Sequence, residues 1–262
     1  VESLQVLLKH CRDQAQLLLK TMAGQRDWKP DLICLHDALS KSQVPQDWAY
    51  QTWAGVSTTN LSEWLSSVLS RHEQLARWVT SGGSRPKNVW LPGLQSTKRL
   101  FATLKQELVR KLAGVSLDDI TISFDIMGLV DVKQVTDTYP DGMWISGLVL
   151  DGAQWSPKEH KLADATHKHL FADFPKLFIT ALKKKDLEER HAQQQNPSGV
   201  QVTGKKLSIS DNPYIYNCPC YTSTTRSLSS LIFTVPMHTE NPGAVEKWVL
   251  RAPALVTIKP SL

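Results

Sequence analysis

The limits on this 262-residue chain are set first by what it lacks. No apolar run approaches the roughly 20 residues that a membrane-spanning helix needs, and no charged-then-apolar leader opens it, so no membrane partner is expected. Cysteine is scarce, at 4 residues, far below the density of a disulfide scaffold, which favours a reducing compartment. Neither sign of charge dominates. Thirty Lys and Arg against 25 Asp and Glu leave +5, which permits contact with acidic surfaces without compelling it, and no nucleic-acid partner is expected. An initiator Met is absent, and Val1 reads as the start of a fragment. What is present in quantity is apolar residue, 41% of the sequence, enough for a real core.

The common catalytic signatures are missing too. Neither a G-x-x-x-x-G-K-[ST] loop nor a G-x-G-x-x-G turn occurs, so no backbone cradle for phosphates is expected. A G-x-S-x-G elbow and an H-E-x-x-H pair are also absent. The densest histidine group, His160, His167 and His169, is interleaved with Lys161 and Lys168, whose charge disfavours a dication. Cys34, His36 and His72 fall in helix-like segments with no spacing that recommends a thiol-imidazole pair. Cys11 and Cys34 read as ordinary small buried thiols. Cys218 and Cys220 would share one face of an extended strand about 7 Å apart, too far for a relaxed disulfide or a common tetrahedral ion. A structural role is expected for both, with no metal, no cofactor and no catalytic residue.

The first 115 residues read as helices. Leu4, Leu7, Leu8, Cys11, Ala15, Leu18 and Met22 recur at three- and four-residue steps, ending near Gly24, and Leu32, Leu35, Ala38 and Leu39 form a shorter pattern after Pro30. Asn60-Leu-Ser-Glu63 resembles a capping box ahead of Leu61, Trp64, Leu65, Val68, Leu69, Leu75, Ala76 and Val79. That capping role is a better account of Asn60-Leu-Ser62 than glycosylation. A third helix is expected from about 97 to 113. Five tryptophans, Trp48, Trp53, Trp64, Trp78 and Trp90, crowd this half; most read as core, with one or two as anchors for a partner surface.

After Gly114 the apolar period changes from near 3.6 to 2. Ile120, Ile122, Phe124 and Ile126 alternate with polar residues, as in a half-buried strand. Further strands are expected over 143–150, 176–180, 214–222, 230–235 and 248–258, with a short helix at about 158–171 and a charged surface loop at about 183–206. The domains predicted are therefore a helical subdomain over 1–115 and a β-rich one over 116–262.

Several motifs in sequence order resemble the C-terminal region of dynein heavy chains. Cys218-Pro219-x-Tyr221-x-Ser223-x-x-Arg226 is similar to the pattern C-P-x-Y-x-[ST]-x-x-R. Gly142-Met-Trp-Ile-Ser-Gly147-Leu-Val-Leu-Asp-Gly152-Ala-Gln-Trp155 resembles G-x-[YW]-I-x-G-L-x-L-[ED]-G-A-R-W, with Gln154 in place of Arg. Val44-Pro45-x-x-Trp48, Trp90-Leu-x-Gly93, Phe171-x-x-Phe174-Pro175, and Val235-Pro236-Met237 have counterparts, as does Trp248-Val-Leu-Arg251-Ala-Pro-Ala-Leu255. In the last, Ala252-Pro253 replaces the usual Gly-Val. The insertion expected after Trp90-Leu-x-Gly93 is shortened, and residues 183–206 match poorly.

The resemblance implies an α+β fold, with an N-terminal helical region packed on a small, partly open antiparallel β-barrel. It also implies a non-catalytic domain, most like those of axonemal dyneins, that braces the AAA-plus ring of its own polypeptide and tunes a minus-end-directed microtubule motor. Expected partners are that ring and the other dynein subunits, with microtubules reached only through the rest of the motor; the expected location is the cytoskeleton of a cilium or flagellum. Trp48, Trp90, Gly147, Gly152, Trp155, Cys218, Pro219, Tyr221, Arg226, Trp248 and Arg251 are implied as structural motif residues. The alternative is a free-standing barrel that binds a small ligand at a rim of Tyr214, Tyr216, Tyr221 and Trp248.

Overall fold

A computed structural model describes residues 2–50, 60–82, 85–112, 114–165, 171–195, 214–240 and 243–257. The fold is α+β, and the protein divides into two compact units, residues 1–85 and 86–259. The change of period near 115 is a change of secondary structure; the division into units comes earlier, between Arg85 and Pro86.

The first unit holds four described helices: α1 (Glu2–Met22), α2 (Pro30–Ser40), α3 (Gln46–Tyr50) and α4 (Leu61–Thr80). Pro30 opens α2, where a missing N–H costs nothing. Asn60 caps α4 by accepting from the backbone N–H of Ser62 at 2.9 Å and of Glu63 at 3.3 Å. The core joins Leu4, Leu7 and Leu18 of α1 to Leu32 and Leu35 of α2, with Trp48, Trp64 and Val68. The buried stripe of α4 is narrower than its sequence predicts: Trp64, Val68 and Arg71 are buried, while Leu65, Leu69 and Val79 are exposed. Steps of four and three carry 64, 68 and 71 along one line, and residues 65 and 69 lie off it, while Val79 stands in the last turn of the helix. Cys34 is likewise exposed on α2, not buried.

The second unit begins with β1 (Asn88–Trp90), followed by α5 (Thr97–Lys111), β2 (Ile120–Ile126) and α6 (Val132–Thr138). Short strands follow: β3 (Met143–Ser146), β4 (Val149–Asp151), β5 (Gln154–Ser156), β6 (Lys161–Ala163) and β7 (Phe171–Asp173). The backbone then runs through β8 (Leu177–Lys183), α7 (Lys184–Gln195), β9 (Ile215–Tyr221), β10 (Leu231–His238), α8 (Ala244–Arg251) and β11 (Ala254–Val256). The strands form a four-stranded sheet, β1-β3-β8-β2, a five-stranded sheet, β10-β9-β11-β4-β7, and the small pair β5-β6. Most pairings are antiparallel, but β1–β3 and β11–β9 are parallel. α5 packs on β2 and β8, which is why it belongs to this unit.

Three sequence expectations are corrected. No helix forms in the described part of 158–171: the Ser156 carbonyl accepts the His160 N–H across a turn, and β6 follows. Residues 184–195 of the expected charged loop are helix α7, and 196–206 lie outside the described residues. The strand expected over 248–258 begins as a helix, because Ala244 and Trp248 sit four apart on one buried face of α8; only 254–256 is extended. The apolar run 143–150 divides into two strands at Gly147, whose φ of +84° turns the backbone from one sheet into the other.

Candidate functional site

The motif residues near the C-terminus converge on one missing hydrogen bond. Strand β11 runs parallel to β9, with Leu255 opposite Cys220 and Val256 opposite Tyr221, and the Thr257 N–H donates to the Tyr221 carbonyl at 3.1 Å. In that register the nitrogen of residue 219 should donate to the carbonyl of residue 253. Residue 219 is proline and has no N–H to give. The Pro253 carbonyl instead accepts from the Tyr216 hydroxyl at 2.9 Å and from Cys218 Sγ at 3.6 Å. Two side chains on one face of β9 thus replace a main-chain donor that the sequence has removed.

This environment also fixes the chemistry of the thiols. Cys218 and Cys220 are free and fully buried. Burial pushes the Cys218 thiol up to about 12, and Cys220 is raised as well, first by burial and then by its neighbour Cys218. Burial likewise raises the Tyr216 phenol. All three stay protonated near neutral pH, so the site offers no resting thiolate nucleophile.

Beside it, Arg226 ties three segments together. Its guanidinium donates to the Ala252 carbonyl at 2.6 Å and forms a charge-assisted hydrogen bond with Asp151 at the end of β4. Ala252 occupies the left-handed region at φ 48°, ψ 50°, which ends α8. Gly152, at φ +79°, turns the backbone directly after Asp151 and faces Pro253. On α8 itself, Lys247 donates to Asp164 at 2.9 Å and Arg251 pairs with the same carboxylate. The hydrogen bond from Lys247, chiefly, holds Asp164 below the usual carboxylate range. Both cations lie over the buried Trp248 ring, at 4.8 Å for Lys247 and 5.7 Å for Arg251.

The remaining motif residues do local work. Gly147 lies against the Trp90 ring; an added Cβ would come within 2.6 Å of that ring, so the W-L-x-G and I-x-G-L stretches meet here. Trp155 sets its ring edge-on to Phe174 at 5.7 Å. Trp48 stacks on Trp64 at 5.7 Å in the first unit and donates to Gln14 at 2.6 Å. Cys218, Pro219, Tyr221, Arg226 and Gly152 are therefore gathered around β11; Trp48 is not, and Trp90 and Gly147 form their own contact. The expected ligand rim dissolves, since Tyr216 and Trp248 are buried and the Tyr216 hydroxyl is engaged. Of the histidine group, His160 sits in a turn at φ 54°, while His167 and His169 lie outside the described residues, as does Trp53. Among the described residues no group of three or more His, Cys, Asp or Glu could hold a metal, and no helix is long and apolar enough to cross a membrane.

Sequence reasoning singled out neither Asp151 nor Asp164, and it took Tyr216 only as part of a rim. Asp151 carried a signal, as the one charged residue from 143 to 151 and the occupant of the [ED] position in the matched motif. A concavity of about 380 Å³ lies between the outer edges of β2 and β10, floored by Phe101, Phe124 and Phe233. The Phe124 and Phe233 rings stack at 4.7 Å, and Phe101 meets Phe233 edge-on at 5.0 Å.

Comparison with known proteins matches residues 1–257 to the family of the C-terminal domain of dynein heavy chains. Dynein axonemal heavy chain 8 of Homo sapiens is 27% identical over 225 residues, which span 85% of this sequence and 4% of that protein. The dynein alpha chain, flagellar outer arm, of Chlamydomonas reinhardtii is 26% identical over 253 residues, 95% of this sequence and 5% of that protein. The dynein beta chain, flagellar outer arm, of the same organism is 30% identical over 213 residues, 81% of this sequence and 4% of that protein. The 262 residues thus span only 4% to 5% of the length of these relatives.

Proposed function

The protein belongs to the family of C-terminal domains of dynein heavy chains, and we propose that it is the non-catalytic C-terminal domain of an axonemal dynein heavy chain. In this reading it braces the AAA-plus ring of its own polypeptide and modulates an ATP-driven, minus-end-directed motor that works in a cilium or flagellum. Nucleotide hydrolysis belongs to upstream modules, and microtubules and the other dynein subunits are met through the rest of the motor. The two larger sheets act as the wall of a partly open barrel, and the helical segment ahead of them forms the second part of the domain.

One observation carries the non-catalytic part of this reading. The motif residues that could have been reactive are committed to structure: Cys218 and Tyr216 replace a lost backbone donor, and Arg226 holds the end of α8 to β4. The test is removal of residues 1–262 from the full-length motor polypeptide, followed by ATPase, force and gliding-velocity measurements. A change in force or velocity with ATP hydrolysis retained is expected. Unchanged force, velocity and ATPase together would sink the regulatory role, and an intrinsic ATPase or other turnover by the isolated domain would sink the non-catalytic one.

A further inference from the structure

The two outer strands that flank the phenylalanine-floored groove differ in a way that assigns it an occupant. The Met127 N–H donates to the Lys176 carbonyl at 2.8 Å, which fixes the odd residues of β2 as those bonded to β8. The N–H and C=O groups of Ile122 and Phe124 therefore point away from β8, along the groove, and have no partner among the described residues. Strand β10 is the opposite bank. The Thr239 N–H donates to the Tyr214 carbonyl at 2.9 Å, so the even residues of β10 face outward, and the central one is Pro236. Proline on the outward row removes the N–H that an added strand would use, a common protection of sheet edges. Strand β2, ITISFDI, has no proline, lysine or bulge, and its one charged residue, Asp125, is turned to Arg190 of α7. One bank is closed to strand addition and the other is open.

We propose that this groove is a docking site for an extended peptide strand, contributed by another polypeptide, that carries a carboxylate. The guest adds to the free edge of β2 and lays alternate apolar side chains on Phe101, Phe124 and Phe233. The acidic requirement comes from Lys105, which lines the groove and has no anionic partner among the described residues. Strand register and charge alone support this assignment, so it is independent of the motor reading.

Residue-resolved hydrogen exchange on the 262-residue protein tests it, with a capped Val/Thr-alternating peptide of about seven residues centred on Glu as the probe. The expected result is about tenfold slower exchange at Ile122 and Phe124 with peptide present. A Lys-centred peptide should bind more weakly, and Lys105→Glu should reverse that preference. A peptide N-methylated along the edge that meets β2 should give no slowing. The proposal is overturned by no slowing at the highest soluble peptide concentration, or by equal slowing with the N-methylated peptide. It is overturned equally by slow exchange without peptide, which would mean that the protein covers its own edge, or that a second copy does if the slowing grows with protein concentration.

Discussion

The two units of the molecule are held by different means. In residues 1–85 the described core is a set of apolar and tryptophan side chains from α1 to α4, with the Trp48–Trp64 stack at its centre. In residues 86–259 a comparable apolar core is supplemented by several polar pins between residues far apart in sequence, where the first unit has the bond from Trp48 to Gln14. Arg226 reaches Asp151 across 75 positions, and Tyr216 reaches Pro253 across 37. Packing of helices tolerates small rotations, and volume sets its stability. A sheet in which proline stands at a donor position leaves a defined polar atom to be satisfied, so a particular side chain must be in a particular place.

Substitutions can break or sharpen this contrast. The largest effect is expected from Trp64→Ala, which empties the stack in the helical unit and should cost about 3–5 kcal/mol by chemical denaturation. Arg226→Ala should cost less, about 2–3 kcal/mol, because Asp151 and the Ala252 carbonyl lose their donor while part of the site is still wetted. Were Arg226→Ala the more damaging of the two, the distinction between a packed unit and a pinned one would not hold. Tyr216→Phe leaves the Pro253 carbonyl to the weak Cys218 donor, for an expected loss of about 1–2 kcal/mol. A double-mutant cycle with Cys218→Ala should give a coupling energy clearly different from zero, since both side chains serve one oxygen.

Two smaller effects run in informative directions. Ala252→Gly should stabilise the protein by about 0.5–1 kcal/mol, because residue 252 occupies the left-handed region that glycine enters without strain. A lowered melting temperature for this variant would contradict the capping geometry. The Asp164 cluster is the smallest case. Its carboxyl is depressed in the folded state, so its contribution is present above the unfolded carboxylate range and fades as pH falls through the lower folded value. The group is exposed, and screening reduces the effect to about a few tenths of a kcal/mol. Asp164→Asn should therefore lower neutral stability by those few tenths, leave stability at low pH unchanged, and so flatten the acid side of the curve slightly.

How far the fold could be read in advance follows the same division. The capped start of α4 at Asn60 and the existence of the strand at Ile120–Ile126 were legible, because each signal is local: one side-chain acceptor, one period of two. The half-buried face of that strand was not, since Arg190 of α7 meets the buried Ser123 and Asp125, while Ile122 and Phe124 are only partly buried. Helix α8 was not, since Trp248 and the residues after it are apolar enough for either structure, and the decision lies in Ala252 and in what the carbonyl beyond it meets. Site residues fared likewise. Cys218, Pro219 and Arg226 stood out by their resemblance, but their partners Asp151, Ala252 and Pro253 lie in other segments and became evident only through strand register.

The prolines at 219 and 253 carry a consequence for how such proteins diverge. As long as residue 219 brings no amide hydrogen, a hydroxyl at 216 and a thiol at 218 are constrained by an oxygen 35 positions beyond the thiol. A single replacement of Pro219 by a residue with an amide would restore the ladder and lift that constraint. Tyr216 and Cys218 would then be free to drift to phenylalanine and to valine or alanine, and a lineage could lose its most recognisable cysteine without losing the sheet.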